Sequence, residues 1–120
     1  MIVSAITACG AGKQADQKQD EPLTKESKEY TIALDQAQFL KKVADFKSNP
    51  EVWKYLGDKP AIIDFWAEWC VYCRRLSPVL EELAKEYEGE IYIYKVNTGV
   101  EREIAAAFGI RSLPTLLFVP

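Results

Sequence analysis

At 120 residues the chain has room for one domain, and its 48% apolar and 28% charged residues are the balance of an ordinary globular protein. A net charge of −3 gives no concentrated basic surface for phosphates, which argues against nucleic acid as a partner. No apolar run approaches the roughly 20 residues that cross a bilayer as a helix. The absence of histidine removes Ser–His and Cys–His catalysis, histidine metal sites and histidine pH switches together.

Residues 1–8 are mostly small and apolar, and the stretch from Gly10 to Glu29 is dominated by Lys, Gln, Asp, Glu, Ser and Thr. With almost nothing to bury, residues 9–29 read as a disordered tether, and a coil of about 20 residues would span on the order of 25 Å. The folded domain is expected over residues 30–120. Tyr30 to Leu34 alternates as a short strand. Asp35 is placed to cap a helix carrying Phe39, Leu40, Val43 and Phe46. Pro50 suits the first turn of a second helical piece with Val52, Trp53 and Leu56, ended by Gly57. Ala61 to Trp66 is apolar apart from Asp64, the pattern of a strand buried on both faces.

A long amphipathic helix is expected from about Cys70 to Tyr87, with Leu76, Val79, Leu80 and Leu83 on its buried side and a kink at Pro78. Ile91 to Val96 reads as a strand in which Tyr92 and Tyr94 pack on the sheet. Glu101 to Phe108 reads as a short helix closed by Gly109, and Thr115 to Val119 as a last strand. This alternation predicts an α/β sheet with helices on both faces.

The cysteines lie at positions 9, 70 and 73, which is not the even, dispersed set of a disulfide-stapled scaffold. Cys70 and Cys73 sit where a buried strand meets a long helix. A sulfur there faces unpaired N–H groups and the positive end of the helix dipole, which stabilises a thiolate. Two intervening residues on a first helical turn bring the sulfurs within disulfide reach. Cys70, before the helix, is then the exposed nucleophile, and Cys73, one turn in, the resolving thiol. A zinc site would need four ligands, and neither histidine nor a second such pair is present. Two merely structural cysteines is the other reading that the spacing leaves.

The run Asp64-Phe65-Trp66-Ala67-Glu68-Trp69-Cys70, followed by Cys73-Arg74 and Pro78, resembles the thioredoxin family. So do Lys95-Val96-Asn97 and Gly109-Ile110-Arg111-Ser112-Leu113-Pro114-Thr115. The resemblance implies a thioredoxin fold, a central mixed sheet flanked by helices, here without the family's last strand and helix. It implies a thiol–disulfide oxidoreductase that uses no cofactor beyond the Cys70–Cys73 disulfide, acts on protein disulfides and is reset by an electron donor. Asp64 matches a buried aspartate that assists deprotonation of the resolving thiol, and Lys95 the lysine beside it. A structural carboxylate paired with Lys95 is the plainer alternative for Asp64. Pro114 matches a cis-proline beside the disulfide, which would leave the Leu113 backbone free to pair with an extended client. Trp66 and Trp69 match family tryptophans. Trp69, Val71, Tyr72, Leu113 and Pro114 are the expected client surface.

Two features depart from the family. Val71-Tyr72 replaces the Gly-Pro of thioredoxin proper, leaving the redox potential unspecified, although the absence of a histidine there favours a reductase over an oxidase or isomerase. A non-catalytic binding module of the same fold is the alternative from another class. The strand Thr115 to Val119 is also the last one in the sequence, which suggests a C-terminally truncated domain with a bare apolar edge. At the other end, Ile6-Thr7-Ala8-Cys9 resembles a bacterial lipobox, so residues 1–8 would be the remnant of a signal peptide and Cys9 a lipidation site. The expected location is therefore the periplasm or cell envelope, with the cytoplasm as the alternative.

Overall fold

A computed structural model describes residues 29–120, so the expected signal-peptide remnant, Cys9 and all of the expected tether except the exposed Glu29 lie outside the described residues. The first strand is short for a specific reason. Thr31 Oγ1 donates to Glu81 Oε1 at 2.9 Å, and the Tyr30 and Thr31 N–H groups also turn to that carboxylate. Ladder pairing therefore begins only at β1 (Ile32–Ala33), which is shorter than the expected Tyr30 to Leu34. Asp35 caps α1 (Gln36–Lys42) reciprocally: its Oδ1 accepts the Gln38 N–H at 2.9 Å, and Gln38 Oε1 accepts the Asp35 N–H at 3.1 Å.

The second helical piece expected after Pro50 is absent. Residues 53–57 are irregular, with the Leu56 N–H bonded to the Val43 carbonyl at 2.9 Å and the Tyr55 hydroxyl donating to the Lys59 carbonyl at 2.7 Å. Trp53 stacks on Tyr55 and meets Phe108 edge-on, so aromatic packing organises this segment in place of helical bonds.

The remaining elements are β2 (Ala61–Trp66), α2 (Val71–Glu86), β3 (Tyr92–Asn97), α3 (Arg102–Ala107) and β4 (Thr115–Val119). The sheet runs β1-β3-β2-β4, with the first three strands parallel and β4 antiparallel to β2. Gly109 turns the chain out of α3 at φ +63°, a conformation that suits a residue without Cβ.

The period-2 alternation of β2 divides the core. Ala61, Ile63 and Phe65 join Phe39 and Val43 at α1 and Ile104 of α3. On the opposite face Ile62 packs with Leu80 and Ala84 of α2, Ile93 and Leu116. Tyr92 and Tyr94 stack at 5.4 Å on the first face, as sheet packing requires. α2 continues through Pro78, and its buried stripe is Cys73, Leu80 and Ala84, with Leu76 and Leu83 half-buried. Val79, expected on that stripe, is 53% exposed because it falls a quarter-turn away from Leu80 on the solvent side.

Candidate active site

β2 ends at Trp66, and the buried Ala67 leads into a turn in which the Cys70 N–H bonds the Ala67 carbonyl at 3.1 Å. Cys70 is thereby the N-cap of α2, and its Sγ accepts the Cys73 N–H at 3.0 Å. Cys70 and Cys73 form a disulfide with their Cα atoms 5.2 Å apart. Cys73 is 3% exposed while Cys70 is only half-buried, so an incoming sulfur can reach Cys70 alone. A helix N-terminus that already directs an N–H at Cys70 Sγ would hold its thiolate after reduction.

Two loops complete the surroundings. After β3, the Thr98 N–H and Oγ1 both donate to the Trp66 carbonyl, at 2.8 and 3.0 Å, which ties the 98–101 loop to the strand that carries the cysteines. Gly99 sits beneath Trp69: a Cβ added there would lie 2.9 Å from the indole Cζ3. The missing side chain therefore lets the indole lie flat while remaining 70% exposed. The Leu113–Pro114 bond is cis, and the turn is held by Thr115 Oγ1 donating to the Ser112 carbonyl at 2.6 Å. These pieces border an open groove of about 650 Å³, walled by Trp69, Cys70, Val71, Tyr72, Ile110 and Leu113. Pro114 is half-buried and does not line it.

Asp64 and Lys95 are partners in register across β2 and β3. Asp64 is 1% exposed, its Oδ1 has no hydrogen-bond partner, and burial pushes its carboxyl up to about 6 against the pull of Lys95. Lys95 directs its ammonium to Ser77 Oγ at 3.0 Å and lies 5.1 Å from the centre of the half-buried Trp66 ring. Register thus places the two charges side by side, while the lysine is hydrogen-bonded elsewhere. Ser77, one turn beyond Cys73 on α2, had gone unread, although its i+4 spacing from a cysteine was a usable signal. Among the described residues no cluster of three or more carboxylates or thiols could hold a metal ion.

The sequence profile described as Thioredoxin matches residues 31–120. The thioredoxin of Borreliella burgdorferi is 51% identical over 89 residues, covering 74% of this chain and 75% of that protein. The chain belongs to the thioredoxin family. Its Cys70–Cys73 disulfide is the redox centre of a thiol–disulfide oxidoreductase, with no further cofactor in the thioredoxin scheme. The M-type chloroplastic thioredoxin of Pisum sativum is 47% identical over 73 residues, which cover 58% of this chain and 42% of the pea protein. Thioredoxin 1 of a Nostoc species is 50% identical over 61 residues, 51% of this chain and 57% of the relative.

Proposed function

We propose that this thioredoxin works as a reductase of protein disulfides, with a half-buried Cys70 above a buried Cys73 at an open groove as the observation that carries the reading. The Cys70 thiolate attacks one sulfur of a client disulfide; that S–S bond breaks and a Cys70–client S–S bond forms. The released client sulfur takes up a proton. Cys73 then loses its proton and attacks Cys70 Sγ, which re-forms the internal disulfide and frees the second client thiol. Two electrons and two protons have passed to the client, and an external dithiol donor must return them. Asp64 is the proposed proton acceptor for Cys73. Its elevated pKa, about 6, makes it a better base than an ordinary carboxylate while leaving it largely ionised at neutral pH. Lys95 is a positioning residue, and Trp69, Val71, Tyr72 and Leu113 form the client surface, with Pro114 fixing the turn that presents Leu113.

The test is equilibration of the Cys70–Cys73 pair with a glutathione buffer, alongside single-turnover reduction of a peptide with one internal disulfide. A potential near that of thioredoxin, about −270 mV, is expected; one near about −120 mV would make the protein an oxidase. Cys70→Ser should abolish turnover, and Cys73→Ser should trap a mixed disulfide visible by mass spectrometry. Failure of the dithiol form to reduce the client, with client binding equally strong in Cys70→Ser, would return the chain to the class of binding modules.

The envelope location is proposed on Ile6-Thr7-Ala8-Cys9 and the polar run behind it. Metabolic labelling with a palmitate analogue should mark Cys9. An unlabelled protein recovered with the cytosol would settle for the cytoplasmic alternative.

A further inference from the structure

All four arginines of the sequence, at positions 74, 75, 102 and 111, lie around the disulfide, although they come from three separate segments. Arg74 and Arg75 are on the first turns of α2, where Arg74 Nη1 donates to the Glu68 carbonyl and Arg75 lies 5.6 Å from the centre of the Tyr72 ring. Arg102 opens α3, and Arg111 precedes the cis bond. Both are exposed and line the groove beside Cys70 and Leu113. No carboxylate and no lysine lines that groove. The side-chain ion pairs among the described residues, Lys47 with Glu103 and Lys59 with Asp58, are made by lysines. Among the described residues, the two groove guanidiniums therefore have no carboxylate in an ion pair with them, on a protein of net charge −3.

A guanidinium presents a planar fork that matches a carboxylate in two parallel hydrogen bonds, which a lysine ammonium cannot do. Trp69, Tyr72 and Leu113 supply an apolar wall on the same groove. Resting on the reductase reading above, we propose that the preferred client is an extended segment with an aspartate or glutamate beside its disulfide cysteine, the carboxylate meeting Arg102 and Arg111 while a neighbouring apolar side chain covers the wall. A peptide is favoured over a small anionic disulfide because the groove, about 650 Å³ and open, offers both surfaces at once.

Three disulfide peptides, identical except for Asp, Asn or Lys beside the cysteine, would be reduced by the dithiol form of the whole chain in single turnovers, with glutathione disulfide as a fourth substrate. The expected order is Asp, Asn, Lys, with a roughly two- to fivefold step for each change of charge. The steps should shrink in about 1 M salt, where the screening length falls to about 3 Å. Arg102→Gln and Arg111→Gln should each lower the Asp-to-Asn rate ratio about two- to fivefold, whereas Lys41→Gln with Lys42→Gln on α1 should leave it unchanged. Equal rates on all three peptides would overturn the proposal and leave the reductase reading standing. So would a ratio untouched by both arginine variants, or faster reduction of glutathione disulfide than of the Asp peptide. Failure to reduce any of the four substrates would sink both.

Discussion

On one face of the sheet, Phe39 meets Phe46, Phe65 meets Phe108, and Phe39 meets Phe108 at ring-centre distances of 6.0, 6.0 and 5.4 Å, around Ile63, Val96 and Ile104. On the other face, α2 covers a smaller apolar set of Leu80, Ala84 and Ile93, and the same strands set Asp64 and Lys95 beneath it. Among the described residues the first face buries no carboxylate or cation. The second keeps a carboxyl with a partnerless oxygen at the root of the redox helix. Two neighbouring faces of one sheet thus divide the work: one supplies stability, and the other accepts the cost of a desolvated acid where proton transfer is wanted.

The sharpest way to break that division is at Phe39, which is fully buried among the aromatic rings. Phe39→Ala should cost about 3–5 kcal/mol of stability by urea unfolding, with the turnover of the molecules that remain folded unaltered. A parallel loss of turnover in the folded fraction would show that the two faces are coupled. Asp64→Asn probes the other side. Because the folded-state pKa is raised to about 6 from an ordinary value near 3.9, the folded state holds the proton more tightly than the unfolded chain does. That contribution to stability is complete below about pH 4 and is lost as pH rises through 6, about 3 kcal/mol in all. The variant should therefore lack this pH dependence and be the more stable protein at pH 8, while resolving the mixed disulfide at least tenfold more slowly. Urea midpoints that fall in parallel from pH 4 to 8 for both proteins would remove Asp64 from its assigned role. The smallest effect is expected at Asp35→Ala, which removes the reciprocal cap of α1. It should cost about 1 kcal/mol and leave the groove kinetics alone.

The strands and α2 were legible because their signals are local. β4 lies where the run from Thr115 to Val119 places it, and Cys70 and Tyr87 are the two caps of α2. The segment after Pro50 was misread because Val52, Trp53 and Leu56 fall at helical spacing, whereas contacts with the distant Val43 and Phe108 decide its path. Val79 was misplaced by treating a narrow stripe as a broad one. Within the site, the cysteine pair was legible from its spacing, and Asp64 and the cis bond before Pro114 from the family resemblance. The Lys95–Ser77 bond and the placing of Arg102 and Arg111 on one groove depend on crossovers between elements, and no window along the chain displays those.

Parallel pairing of β1, β3 and β2 has a practical corollary. Cys70 follows the C-terminal end of β2, while Tyr30 lies before the N-terminal end of its parallel companion. β4 runs the other way, so Val119 finishes opposite Ala61, at the end remote from Cys70. A solid support or an electrode coupled through either of those positions would hold the molecule by its far pole. The reactive sulfur would then face the solution, already oriented for exchange.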